Sequence, residues 1–191
     1  PLLQSSAASD VYKRQGLMRL KKFYYEKINS TNNKAHIQIR KGAENGIILA
    51  EFQTKGKGQR GNKWISFDGN LFMSIFFEIG NEISLIKITK INCIIVQKCL
   101  QKFTDYKVVI KKPNDILINK KKVCGILQET IFKQNRKYLI VGIGINISSS
   151  PTINNYPTTF LNNYTNKKLN RLILFKEIKL LYEKNLHSFG V

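Results

Sequence analysis

Three segments of the chain hold side chains whose types and spacing could do chemistry. The first runs Gln53-Thr54-Lys55-Gly56-Lys57-Gly58-Gln59-Arg60-Gly61-Asn62-Lys63-Trp64. Glycines at 56, 58 and 61 let backbone N–H groups approach a ligand, and Lys57, Arg60 and Lys63 surround that path with positive charge, which suits a phosphate or a carboxylate. The segment is not a GxxxxGK[ST] loop, because no Ser or Thr follows a lysine at that spacing. From spacing alone, a mobile basic surface connection reads equally well.

The second segment is Lys111-Lys112-Pro113-Asn114-Asp115-Ile116, continuing to Lys122-Val123-Cys124-Gly125-Ile126-Leu127-Gln128-Glu129. Pro113 fixes the entry to a strand that presents an amide and a carboxylate side by side, with Lys122 on the return strand. Such a set could hold Mg²⁺ and a triphosphate through oxygen ligands and place a cation near a reacting carboxylate. A β-turn capped by Asn and Asp, followed by a solvated lysine hairpin, is the alternative. In the third segment, Val141-Gly142-Ile143-Gly144-Ile145-Asn146-Ile147, the alternation leaves one strand face without side chains. Either that face packs tightly against another backbone or a flat ligand lies on it.

The elements that must position these residues follow from periodicity. A strand over Phe23–Ile28 precedes a helix that Ser30 or Thr31 would N-cap and that runs towards Arg40. Strands are expected at Ile47–Phe52 and Asn70–Phe77, either side of the glycine-rich loop. Ser84 opens the clearest helix, with Leu85, Ile88, Ile91, Ile95 and Cys99 on one face. Three strands follow, at 107–110, 115–118 and 123–132, the last two joined by Asn119-Lys120-Lys121. Gln134-Asn135-Arg136 turns into a strand over 138–147. Residues 148–166 read as a long polar loop before an amphipathic helix over about 170–186. Hairpin strands covered by a few helices make the fold α+β, with a mostly antiparallel sheet.

Composition excludes several classes. The chain has 191 residues, enough for one sizeable core, with 42% hydrophobic and 23% charged side chains and no apolar run of membrane-spanning length. Three cysteines with neither zinc spacing nor a CxxC pair argue against a disulfide framework or structural metal and for a reducing, cytoplasmic setting. The formal charge is +20, but the basic residues are mostly Lys and are scattered from Lys13 to Lys184 rather than gathered on one element, so genomic base composition can supply much of the charge and a nucleic-acid partner is not the favoured reading. Residues 1–15, with Asp10-Val11-Tyr12-Lys13-Arg14-Gln15, match a translated sequencing adaptor and are expected to be a processing scar, the natural protein starting near Met18.

In their order, Ser30-Thr31-Asn32, the Gln53–Trp64 loop, Pro113-Asn114-Asp115, Lys122-Val123-Cys124-Gly125-Ile126-Leu127 and Gly142-Ile143-Gly144-Ile145-Asn146 resemble biotin protein ligases over residues 23–187. Five ordered motifs in one chain are far more specific than any one. The resemblance implies a catalytic domain over 18–187 with the class II aminoacyl-tRNA synthetase-like fold. It also implies a two-step reaction: biotin and ATP, with Mg²⁺ and no tightly bound prosthetic group, give biotinyl-5′-adenylate, and a lysine of a biotin carboxyl carrier protein of acetyl-CoA carboxylase or a related carboxylase then takes the biotin.

In that scheme Lys122, Arg60 and Lys57 are catalytic. Ser30, Thr31, Asn32, Gln53 and Gly56 hold the biotin ring, and Trp64, Gly125, Leu127, Gly142 and Gly144 wall its apolar part. Gly58, Gln59, Gly61, Asn114, Asn146 and Tyr156 serve the adenylate, and Asp115 is the candidate Mg²⁺ ligand. The family usually has Arg where Gln59 stands and an aromatic where Lys112 stands. No DNA-binding helix–turn–helix before Phe23 and no small C-terminal β-barrel domain are expected; neither specific DNA nor a membrane is an expected partner, and a homodimer stays open. The alternatives are a lipoate or octanoate ligase or transferase of the same fold, whose loop normally includes a His, and a non-catalytic basic nucleic-acid-binding module.

Overall fold

The computed structural model describes residues 18–80 and 82–190, so the expected scar at 1–15 lies outside the described residues. Among these described residues seven strands form one sheet: β1 (Lys22–Ile28), β2 (Asn45–Gln53), β3 (Leu71–Ile79), β4 (Val108–Lys111), β5 (Asp115–Ile118), β6 (Lys121–Lys133) and β7 (Arg136–Ile145), in the order β1-β2-β3-β7-β6-β5-β4. The described α-helices that cover it are α1 (Thr31–Arg40), α2 (Leu85–Gln101) and α3 (Arg171–Asn185). The α+β reading holds, with one departure. β1 and β2 pair in parallel, because α1 lies between them in sequence and provides the crossover that parallel neighbours need.

Alternation along the strands divides the core in two. Ile47, Leu49, Met73, Ile75, Leu139, Val141 and Ile143 face α2 and α3, packing with Ile88, Val96, Cys99, Leu174, Ile178 and Tyr182. Ile48, Ala50, Phe76, Tyr138 and Ile140 face the other way, onto Ala35 and Ile39 of α1. Removing one such side chain, Ile75→Ala for example, would cost about 2–5 kcal/mol through lost burial and the cavity left behind. Leu85, expected on the buried stripe of α2, is half exposed in its first turn. Among the described residues no helix is long and apolar enough to cross a membrane.

Both hairpins around β6 close on two residues rather than three. Asn119 and Lys120 have φ of 48° and 63°, and Gln134 and Asn135 have 46° and 59°; this left-handed pair is the turn whose twist matches that of the strands it joins. Lys121 and Arg136, expected in the turns, instead begin β6 and β7. The shorter first turn brings Lys122 onto a strand, where its backbone is fixed on both sides.

The stretch 148–166 is anchored rather than free. Asn70 Oδ1 accepts from the N–H groups of Ile147 (2.8 Å) and Ser148 (3.0 Å). Lys122 N–H donates to Pro157 O, and Thr159 N–H donates back to Lys122 O, both at 2.9 Å. A short 3₁₀ turn over Leu161–Tyr164 follows, and Asn170 caps α3 by accepting from Leu172 and Ile173 N–H.

Candidate active site

Where α1 stops covering its face of the sheet, a cavity of about 250 Å³ opens. Along β7 the bulky Tyr138 and Ile140 under α1 give way to Gly142 and Gly144, so the sheet itself becomes the cavity floor. The closed end is polar and buried. Ser30, Thr31 and Asn32 stand at the start of α1 and Gln53 at the end of β2. Ser30 occupies the N-cap position, but its side chain makes no capping bond. Gln53 Oε1 takes over that role, accepting from Thr31 N–H at 2.8 Å with Thr31 Oγ1 3.1 Å away.

Two residues that motif reasoning missed complete this end. Ser74, in the middle of β3, has its Oγ 2.7 Å from Thr31 Oγ1 and 2.6 Å from Asn32 Oδ1. Glu129 of β6 accepts from Asn32 Nδ2 at 2.6 Å and has His36 Nε2 at 3.6 Å. A hydroxyl inside the otherwise apolar run 71–77, buried at 0% exposure, was the available signal, since a buried polar group requires partners.

The glycine face is not bare. Gly125 and Gly144 are register partners on β6 and β7, and the Trp64 indole lies across both. A Cβ on Gly125 would sit 2.7 Å from Trp64 Cζ3, and one on Gly144 would fall inside 3 Å of the same ring. At Gly142 the carboxamide of Asn32 fills the corresponding space. A ligand therefore meets the indole and the amide as well as the two backbones. The loop before Trp64 folds into a small hairpin, with Trp64 N–H donating to Gly56 O (2.9 Å) and Gly58 N–H to Asn62 O (2.7 Å). Its tip, with Lys57 and Arg60 exposed, hangs over the opening.

At the opposite end Lys122 Nζ pairs with Asp115 Oδ1 at 2.8 Å, both side chains largely buried. The ammonium also faces the rings of Trp64 and Tyr156, at 5.5 and 5.1 Å from their centroids. Asn114 and Asp115 are adjacent but face different partners: Asn114 Nδ2 donates to Ile126 O at 2.6 Å and ties β6 to the turn. Among the described residues Asp115 is the one carboxylate that lines the cavity, and no group of three His, Cys, Asp or Glu side chains gathers anywhere. A single carboxylate fits Mg²⁺ only as an ion shared with nucleotide phosphates.

Most of the residues expected from sequence line this cavity, Leu127, Gln59 and Tyr156 included. Three do not. Gly56 packs beneath Trp64, and Gly61 turns the loop tip at φ 78°. Asn146 lines a smaller adjoining cavity with Trp64, Tyr156 and Thr158. Its Nδ2 donates to Thr159 O at 3.1 Å, while its buried Oδ1 and the buried Trp64 Nε1 have no hydrogen-bond partner among the described residues. An acceptor and a donor thus stand unused where a flat polar ring could lie. The thiols play no part: burial pushes Cys93 up to about 11 and raises Cys124, beside Gly125, well above the ordinary thiol value.

The biotin/lipoate A/B protein ligase family model matches residues 23–146. The bifunctional ligase/repressor BirA of Bacillus subtilis is 32% identical over 178 residues, covering 87% of this chain and 54% of its own. The chain thus spans about half the length of that relative. The biotin protein ligase of Aquifex aeolicus in complex with biotin and ATP superposes with a TM-score of 0.75 at 26% identity, over 89% of this chain and 72% of the other. The Leishmania major enzyme in complex with biotinyl-5-AMP gives 0.75 at 23% identity, over 89% and 76%, a likeness of fold.

Proposed function

Because this chain belongs to the biotin/lipoate A/B protein ligase family, we propose that it is an ATP-dependent ligase that activates biotin as biotinyl-5′-adenylate and passes it to a lysine of a biotin carboxyl carrier protein. In the first step a biotin carboxylate oxygen bonds to the α-phosphorus of ATP and pyrophosphate leaves. In the second the carrier lysine's amine bonds to the acyl carbon, AMP leaves and the amine's proton passes to solvent. Neither step needs a protein nucleophile; both need positioning and cations where negative charge gathers.

The observation that carries this reading is one cavity joining a polar closed end to a lysine. Ser30, Thr31 and Gln53 would bind the ureido ring there, the indole of Trp64 on the Gly125–Gly144 pair would hold the apolar body, and Lys122 would meet the carboxylate. Lys57 and Arg60 would close over the phosphates as the loop tip moves down. Asn146 and Tyr156, beside the adjoining cavity, would receive the adenine. Mg²⁺ would arrive with ATP, with Asp115 as the carboxylate at hand to share it.

Basic residues scattered along the sequence rather than gathered on one element support neither a specific DNA target nor a membrane, and the reading carries a cytoplasmic setting with it. The deciding experiment is exchange of labelled pyrophosphate into ATP. The expected result is exchange that requires biotin. Exchange supported by lipoate or octanoate and not by biotin would replace this reading with the lipoate one.

A further inference from the structure

We infer that Glu129, acting through Asn32 and Ser74, fixes the hydrogen-bond polarity of the cavity's closed end, so that it accepts a ring carrying an N–H beside a carbonyl. The inference rests on the proposed biotin reading and adds to it the device that selects a cyclic urea over a dithiolane or a plain acyl chain.

Counting protons along the chain of contacts leads to this assignment. An ionised carboxylate only accepts. Glu129 Oε2, 2.6 Å from Asn32 Nδ2, therefore holds the Asn32 amide in one orientation, with His36 Nε2 3.6 Å from the same oxygen. Asn32 Oδ1 is then the atom facing Ser74 Oγ at 2.6 Å, and because Oδ1 has no proton the Ser74 hydroxyl must donate to it. Ser74 has no second proton, so the Thr31 hydroxyl fills the 2.7 Å contact between Ser74 Oγ and Thr31 Oγ1 in preference to its longer 3.1 Å contact with Gln53 Oε1, which already accepts from the Thr31 N–H. Thr31 Oγ1 is left with a lone pair for a ligand N–H. The Thr31 N–H holds Gln53 Oε1 at 2.8 Å, which leaves the Gln53 Nε2 amide as a donor for a ligand carbonyl.

The fold supports each link. Ser74 and Gly142 are cross-strand partners, and Leu127, two residues from Glu129, pairs with Gly142 from the other side. Asn32 lies on Gly142 with its Oδ1 where a Cβ would be, so any side chain at 142 would break the relay. Glu129 touches the network and not the cavity, which makes it a positioning residue.

The test compares wild type, Glu129→Gln and Ser74→Ala by pyrophosphate exchange with two substrates, biotin and a cyclic-carbamate analogue in which one ureido N–H is a ring oxygen. Gln at 129 can present an N–H to Asn32, which lets the amide reverse and frees the Thr31 proton to point into the cavity. The expected result is a KM for biotin raised about tenfold, the scale of one hydrogen bond, with preference for biotin over the carbamate lost and the KM for ATP and melting temperature held. A merely structural role would weaken both ligands equally, and that result, or wild-type preference in both variants, overturns the inference. If Ser74→Ala fails to fold, the partly exposed Glu129→Gln decides alone. No biotin-dependent exchange in the wild type would instead overturn the proposed function, so the two failures are distinguishable.

Discussion

Lys122 Nζ lies 2.8 Å from Asp115 Oδ1 across the β5–β6 pair. The carboxylate and the faces of Trp64 and Tyr156 hold the ammonium at one point of the cavity, while Pro157 and Thr159 fix the lysine's own backbone. A flexible four-carbon side chain is thus pinned where a carboxylate and an α-phosphate would meet, and its positioning entropy is lost on folding rather than during the reaction.

Lys122→Ala should therefore lose about 3 kcal/mol of transition-state stabilisation, the scale of one well-placed donor. The measurement is biotin-dependent pyrophosphate exchange, with circular dichroism to confirm folding. Near-normal adenylation by a folded variant would remove Lys122 from the mechanism.

Motif spacing made most of the cavity legible, because glycines, a proline and paired polar residues mark positions where the backbone must approach a ligand. The strands and helices were legible for the same local reason, period two or period 3.6. What local pattern does not contain is partnership across the sheet. The parallel β1–β2 pair, Ser74 beneath Asn32, and Glu129 on its amide all depend on residues 25 to 97 positions apart meeting in the fold. Gly142 shows the difference: its lack of a side chain was plain in sequence, but only the fold reveals that Asn32 fills the space.

Gln59 begins the loop's tip turn and lines the cavity at the position where the family usually has Arg. Its amide can hydrogen-bond an anionic adenylate but supplies no Coulomb attraction. Gln59→Arg should slow escape of biotinyl-adenylate into solution, measured by trapping the released intermediate. Equal dissociation rates for the two proteins would show that the loop's charge at this position does not retain it.

Stability should fall at alkaline pH through the buried thiols. Burial raises Cys93 to about 11 and Cys99 to about 12, from an ordinary value of 9.0. Between those values the unfolded chain releases protons that the native state keeps. Their contribution is complete below pH 9 and lost as the pH climbs through the native values. Buried Tyr182, raised well above its ordinary 10.0, acts with the same sign. Denaturant midpoints should decline steadily above pH 9, and native protein should resist thiol reagents at pH 8; a flat midpoint to pH 11 would contradict both burial and shift.

Gly144→Ala tests the seat of the indole. The added methyl falls inside 3 Å of the Trp64 ring, and Gly144 is not among the residues with positive φ, so the backbone accepts alanine and the whole effect is steric. Overpacking of this kind costs about 1–3 kcal/mol if the neighbours cannot yield. Here one neighbour can, because Trp64 sits on a loop whose tip is exposed. The indole should tilt off the Gly125–Gly144 pair into the cavity, so that biotin affinity falls more than stability does. Trp64 is the only tryptophan in the chain, and its emission therefore reports the movement directly: a red shift and easier acrylamide quenching in Gly144→Ala, with a smaller shift when biotin is added than in wild type. Because the clash lies with the indole, shrinking the ring by Trp64→Phe should recover part of the stability lost in Gly144→Ala, a coupling that two independent sites would not show. Unchanged emission together with strictly additive stabilities would mean that Trp64 does not rest on this strand.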